Sequence, residues 1–389
     1  MIEKVIYIGY VILNEKLKED FFFNELNENK IITEYWNFSK LYFKESNCSD
    51  QNIENCIGSF RKFDLFLKKV NIKKTVFVLT MSYNFKTIYL YYLLKKHNCK
   101  IVFFSRGALP KISYNRKHIF YKLKNIKKYK HYFFIIFKIN LSVFLKKIDL
   151  VKTYDIIYHA GERSLGGFCN GYKIDLSKAK IIELNYFDFD KTIKIKNSKN
   201  ILKNKYCVFH DEYLPFHPDF ELENKETVEA SLYYLNLNKF FTQIEQRFKL
   251  EVVIAAHPKA INYKNHNPFK KRKLFFGKTA ELSKYSEFSL LHVSSSVSFP
   301  VIYKKPIIFL TSDQIIKKMF SYSKWIVDFS DELGSKLINY DNYNDLEFDD
   351  LVIDSKLYNK YISNYLSSKS SSSILSSKIF LKSLSIKKV

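Results

Sequence analysis

Glycine and proline are scarce in this chain of 389 residues, nine and seven in all, too few for a collagen-like or linker-dominated protein. Arginine is scarcer still, six residues against 58 lysines. Proteins that read nucleic acid draw on the bidentate guanidinium fork, so this shortage weighs against such a role despite a formal net charge of +25. Part of that charge reflects a general bias toward Lys, Ile, Asn, Tyr and Phe rather than a binding surface. The five cysteines, Cys48, Cys56, Cys99, Cys169 and Cys207, are odd in number, widely spaced and free of any C-x-x-C pair. That argues against a disulfide scaffold or a structural zinc site and favours a reducing compartment. The apolar stretch in MIEKVIYIGYVILNEK is too short and too soon interrupted for a secretory signal, and no uncharged apolar run reaches 18 residues. A cytoplasmic protein is expected. G-x-S-x-G, H-E-x-x-H and G-x-G-x-x-G are all missing. Gly277-Lys278-Thr279 ends like a phosphate-binding loop, but Arg272 stands where its first glycine belongs, and the glycines of Gly161 to Gly167 come without the lysine. No cofactor and no metal are expected.

What is present is a core-forming composition, 47% hydrophobic and 26% charged. Short apolar runs suited to buried parallel strands occur at Val5 to Ile12, Thr75 to Thr80, Lys100 to Ser105, Ile156 to His159 and Ile181 to Leu184. Segments of helical spacing such as Asn84 to Lys96 lie between them. A polar, Lys/Asn-rich stretch from Thr192 to Lys205 marks a boundary. A second alternating set follows, with strands at Tyr206 to His210, Glu251 to Ala256, Phe288 to Val293 and Pro306 to Leu310. Helices are expected over Thr227 to Arg247, from Thr279, and near Ser295 to Tyr303. The expected class is α/β: a Rossmann-like domain over 1–192, a second over 206–345, and a helical tail over 346–389, free to pack back on the first domain and carrying the low-complexity run SSKSSSSILSS. Two such domains facing a cleft bind ligands at the carboxyl ends of their strands.

One segment stands apart. Lys111 to Lys147 holds eleven Lys/Arg and no acid, interleaved with HYFFIIFKINLSVFL. A basic surface helix beside an ordinary core helix accounts for it. So does a peripheral segment on anionic lipid, where each lysine adds about 1 kcal/mol.

Three motifs in the second half each follow a strand. Asp211-Glu212 closes Tyr206 to His210, a placement that suits a general base or a turn cap. His257-Pro258-Lys259 closes Glu251 to Ala256, a placement that suits a donor to an anion or a satisfied core histidine. His292-Val293-Ser294-Ser295-Ser296 leads into a helix, where hydroxyls and amides cradle a phosphate or simply cap the helix. Asp188-Phe189-Asp190 is a D-x-D triplet of a kind that arises often by chance.

An acidic pair, then His-Pro, then a serine-rich motif in this order resembles bacterial sialyltransferases and polysialyltransferases of the GT-B type, which carry D/E-D/E-G, HP and S-S/T motifs. The match covers about residues 206 to 310, and Tyr213 stands where those families have Gly. Gly9 and the stretch Glu34 to Ser39 resemble proteins of surface-polysaccharide clusters. The resemblance implies a metal-independent, inverting glycosyltransferase. Its donor is a CMP-activated nonulosonic acid or Kdo, and its acceptor is lipopolysaccharide, capsule or another surface glycan at the inner face of the cytoplasmic membrane. Asp211 is the preferred base, with Glu212 as fallback. His257, Pro258, Lys259, Gly277, Ser294, Ser295 and Ser296 line the donor phosphate and ribose, while Gly9, Arg106 and Gly107 lie on the acceptor side. The alternatives are a GT-B transferase using a UDP-sugar or a polyol-phosphate donor, and a non-enzymatic basic protein that binds membrane or nucleic acid.

Overall fold

The computed structural model describes residues 2–43, 53–110, 126–168, 173–222, 225–342 and 351–385. The chain divides into two compact units, the first built from 1–106, 115–187 and 368–389, the second from 107–114 and 188–367.

The first unit is a seven-stranded sheet in the order β3-β2-β1-β4-β5-β6-β7, parallel throughout. Its strands are β1 (Lys4–Gly9), β2 (Ile32–Asn37), β3 (Glu54–Cys56), β4 (Thr75–Leu79), β5 (Lys100–Ser105), β6 (Ile156–Ala160) and β7 (Lys180–Leu184). Alternation sends Val5 and Tyr7 into a core with Val78 and Tyr158, and Ile6 and Ile8 into another with Trp36 and Phe77. Covered on both faces, these strands have to be continuously apolar. β1 stops at Gly9, earlier than its apolar run suggests, and Tyr10 to Ile12 are exposed. A Cβ on Gly9 would collide with the hydroxyls of Thr80 and Tyr35, so only glycine fits there.

The tail does not form one element. The helix Ser355–Tyr361 belongs to the second unit, while Ser376–Ser385 puts Phe380 and Leu384 into the same core as Tyr7. The serine run is folded, because its small hydroxyls find partners: Ser368 and Ser370 donate to Glu183, and Ser376 accepts from the Asn185 amide at 3.0 Å. Free buried thiols are found at Cys99 and Cys207, whereas Cys56 is disulfide-bonded.

The second unit is a six-stranded parallel sheet ordered β10-β9-β8-β11-β12-β13. Its strands are β8 (Tyr206–His210), β9 (Glu251–Ala256), β10 (Leu274–Phe276), β11 (Ser289–Leu291), β12 (Ile307–Thr311) and β13 (Lys336–Asn339). The long helix Ala230–Phe248 packs on it, capped by Glu229, whose carboxylate accepts from the Ser231 and Leu232 amides at 2.8 and 2.9 Å. Strand order reverses between β8 and β11. In open α/β sheets that reversal opens a crevice at the carboxyl ends.

Candidate functional site

The acidic pair sits at this reversal, and its two members turn to opposite neighbours. Asp211 reaches the end of β9, where Oδ2 accepts the His257 amide at 3.2 Å. Its Oδ1 accepts the Tyr213 amide at 3.1 Å and the Tyr263 hydroxyl at 3.5 Å. Glu212 reaches the end of β11, where Oε1 accepts the Val293 amide at 2.7 Å and Oε2 accepts from the Tyr322 hydroxyl. Burial pushes Asp211 up to about 6, against the pull of its amide donors. Burial pushes Glu212 further, up to about 8, with the neighbouring Asp211 charge adding to it. Asp211 is only 5% exposed, and Glu212 is partly open to solvent. Asp211 thus ties the turn to the end of β9, and Glu212, the more exposed of the two, ties it to the end of β11.

Tyr213 adopts φ +54°, in the left-handed region that favours glycine. The motif of the resembled families has Gly at this position, the residue that adopts this region without strain. The Tyr213 ring packs edge-on against Tyr263, with centroids 5.4 Å apart.

His257 follows β9, and its Nδ1 accepts the Lys259 amide at 3.2 Å, which leaves the ring proton of the neutral form on Nε2. Pro258 and Lys259 are exposed. The structure adds a residue that sequence reasoning missed. His217 packs edge-to-face on His257, with centroids 5.0 Å apart. The signal was in the sequence, since His217-Pro218 repeats the His257-Pro258 dipeptide.

The serine motif forms a tight 3-10 turn, Ser295–Val297. Ser294 caps it by accepting the Ser296 amide at 3.3 Å, and the Ser295 side chain is exposed. The Ser296 hydroxyl lies 2.8 Å from Nδ1 of His210, and the other nitrogen of that ring lies 3.1 Å from Ser283 Oγ. Burial drops His210 to about 3, so it is a neutral strut. His292 is a second strut, with Nδ1 donating to the Leu310 carbonyl at 2.7 Å and Nε2 accepting from Tyr233 at 3.0 Å. Burial drops it to about 4.

Direct hydrogen bonds thus join the three motifs. The remaining candidates are placed differently. Gly277, at φ +69°, follows β10, two strands from β8, and nothing lies within 4 Å of a Cβ built there. Gly9 and Arg106 belong to the first unit, and Gly107, at φ +91°, opens the short segment assigned to the second. Arg106 is built into aromatic packing, its guanidinium 3.9 Å over the Phe187 ring centroid and 5.1 Å from those of Phe22 and Phe104. Asp188 and Asp190 lie on the helix Phe187–Lys194, with Asp188 accepting the Ser298 hydroxyl. Among the described residues no group of three or more His, Cys, Asp or Glu is arranged around a metal position.

The chain is similar in fold to solved structures at low identity. Wall teichoic acid polymerase TagF, in a histidine-to-asparagine variant, superposes with a TM-score of 0.51 and 12% identity over 98% of this chain and 89% of its own. The same variant soaked with CDPG gives the same values, a TM-score of 0.51 and 12% identity, with 98% and 89% covered. UDP-GlcNAc 2-epimerase of Methanocaldococcus jannaschii, in complex with UDP-GlcNAc and UDP, gives 0.45 and 14% identity over 98% and 99%. No protein-family description and no curated protein sequence matches the chain. Two parallel, Rossmann-like sheets and the TagF likeness together give an α/β fold of the GT-B type.

Proposed function

We propose that this protein is an inverting glycosyltransferase that moves an acidic sugar, a nonulosonic acid or Kdo, from a CMP-activated donor to a surface-glycan acceptor. One observation carries the reading: an acidic pair, a His-Pro turn and a serine turn are hydrogen-bonded to one another at the strand-order reversal of a parallel sheet. Cleaving the donor's glycosidic C–O bond leaves a second negative charge on the phosphate. Nε2–H of His257 and the amides and hydroxyls of Ser294 to Ser296 stabilise that charge in place, without reorganising. Glu212 takes the acceptor's hydroxyl proton as its oxygen bonds to the anomeric carbon on the face opposite the departing phosphate, which inverts the centre. Asp211 holds the His257 turn. A thermal-shift screen against CMP, CDP, UDP and GDP tests this, since a ligand at a hundred times its Kd adds about 2.7 kcal/mol of stability. CMP and CDP are expected to raise Tm, and a protein that responds to no cytidine nucleotide overturns the reading.

The likeness to TagF, one of whose structures was soaked with CDPG, supports a second reading with a polyol-phosphate donor. A donor that displaces CMP only as CDP-glycerol would favour it. A basic protein without an enzyme site, the remaining alternative, would bind no nucleotide.

The same reading includes peripheral attachment to an anionic bilayer. On the helix Ile126–Lys147, Phe133 is 75% exposed, and Phe134, Ile136, Phe137, Ile139 and Phe144 are exposed with it. Residues 111–125 of the basic segment lie outside the described residues. Of its charges, Lys146 is buried against Asp175 among Tyr83, Tyr91 and Tyr154 and serves the core instead. No helix among the described residues is long and apolar enough to cross a membrane. Sedimentation with anionic vesicles should decline with salt and with Phe133→Ser plus Phe137→Ser. Equal binding to neutral vesicles would refute the electrostatic part.

A further inference from the structure

The two His-Pro dipeptides make the same imidazole-to-backbone hydrogen bond, one at the start of the helix Pro218–Leu222 and one in a turn. His217-Pro218-Asp219 lies beyond the end of β8 and His257-Pro258-Lys259 beyond the end of β9, and these strands are neighbours in the sheet. In each, the imidazole Nδ1 accepts the backbone N–H two residues later, at 3.2 Å in both. Proline explains the spacing. It has no N–H to offer at the next position, and its fixed φ folds the following amide back toward the ring. The third residues of the two motifs then pair with each other, Lys259 Nζ lying 3.1 Å from Asp219 Oδ1. The imidazoles meet at 62° with centroids 5.0 Å apart.

Fixing Nδ1 as an acceptor has a chemical consequence. A neutral ring held this way carries its proton on Nε2, at the far side from that bond. Burial lowers the His217 pKa, which favours that neutral form. A contact between two rings is satisfied by any pair of aromatic residues. The matched Nδ1 bonds set the same tautomer in both rings, and the ring contact holds the two imidazoles side by side.

We propose that His217 is a second phosphate-holding imidazole, donating its Nε2–H to the same donor phosphate as His257. This deepens the transferase reading and rests on it. The phosphate is then held by two imidazole donors whose flanking residues Asp219 and Lys259 form a surface ion pair, and the charge that grows on it as the glycosidic bond breaks is shared between them.

Calorimetric titration of the full chain with CMP and with cytidine isolates the phosphate contact. His217→Ala should weaken CMP about ten- to a hundredfold, the range for a hydrogen bond to a charged group, and leave cytidine unchanged. His217→Gln, whose amide N–H reaches the Nε2 position, should keep most of the preference for CMP. His217→Asn, which reaches only the Nδ1 position, should lose it as Ala does. A merely structural role predicts that CMP and cytidine weaken together and that Gln and Asn fail alike, and either result overturns the proposal. So does unchanged CMP affinity in all three variants. If the wild-type chain binds neither cytidine compound, the donor assignment has failed. The comparison then moves to whichever mononucleotide binds and its nucleoside, and binding of none overturns the His217 role as well.

Discussion

Replacing Glu212 by glutamine should stabilise the protein in alkali and abolish its turnover. The carboxyl is held between the Val293 amide and the Tyr322 hydroxyl, and burial pushes it from the ordinary 4.5 up to about 8. The folded form therefore keeps a proton that the unfolded chain gives up. For a carboxyl raised in this way, stability is fully present below the unfolded value and is lost as pH climbs through the folded one. At 1.36 kcal/mol per pH unit, wild type should lose about 3 to 4 kcal/mol from this group between about pH 5 and pH 9. Glutamine keeps both hydrogen-bonding positions occupied and cannot ionise. The stability of Glu212→Gln minus that of wild type should rise by that amount over the range and flatten above pH 8. Denaturant titrations of both proteins at unit pH intervals measure the difference. Asp211, raised to about 6, titrates with the same sign but is common to both proteins and largely cancels. Activity supplies the second arm. If Glu212 is the base, kcat/KM should climb to a plateau above about pH 8, whereas a limb near 6 would return that role to Asp211. A stability difference that stays flat from pH 5 to 9 would refute the buried-carboxyl argument outright.

Three further outcomes are expected. Asp211→Asn points an N–H at the His257 amide, so it should destabilise the protein by about 1 to 3 kcal/mol. It should also weaken CMP binding, because it frees the His257 turn; unchanged CMP affinity would show that Asp211 does not brace that turn. His257→Ala should lower kcat more than it raises KM, since its bond strengthens as the phosphate gains charge, and steady-state kinetics would show the reverse if His257 only binds substrate. At Tyr213, Gly and Ala variants both lose the ring contacts, but only Ala keeps the left-handed strain. Thermal denaturation should find the Gly variant more stable by about 1 kcal/mol, and equal stabilities would refute the strain argument.

The central strands were readable because burial on both faces forces continuous apolar runs, as in TVFVL of β4 and EVVIAA of β9. β2 escaped notice as a strand because its sequence, ITEYWN, carries Glu34, which pairs with Lys4 of β1 across the ladder. The edge strands β3 and β10 are three residues each, too short to show a period. At the site, the acids, His257 and the serines were legible because each closes a recognisable strand. Their hydrogen-bond partners were not. Which neighbouring strand end each of two consecutive acids reaches depends on β8 lying between β9 and β11, and no local pattern records that order. The same holds for His210 and His292, whose partners Ser283 and Leu310 are supplied by other segments of the sheet and its helices.

The split of the C-terminal residues has a consequence for biogenesis. Residues 188–367 hold nearly all of the second unit, so a chain emerging from the ribosome can complete that unit before the first. The first unit has all seven strands by residue 184, yet its core still lacks Phe380 and Leu384. That core stays incomplete until Phe380, 196 residues beyond Leu184, has been made. A nascent chain stalled before Ser376 would carry one finished unit and one unfinished unit, and the unfinished one is where holding chaperones should be found.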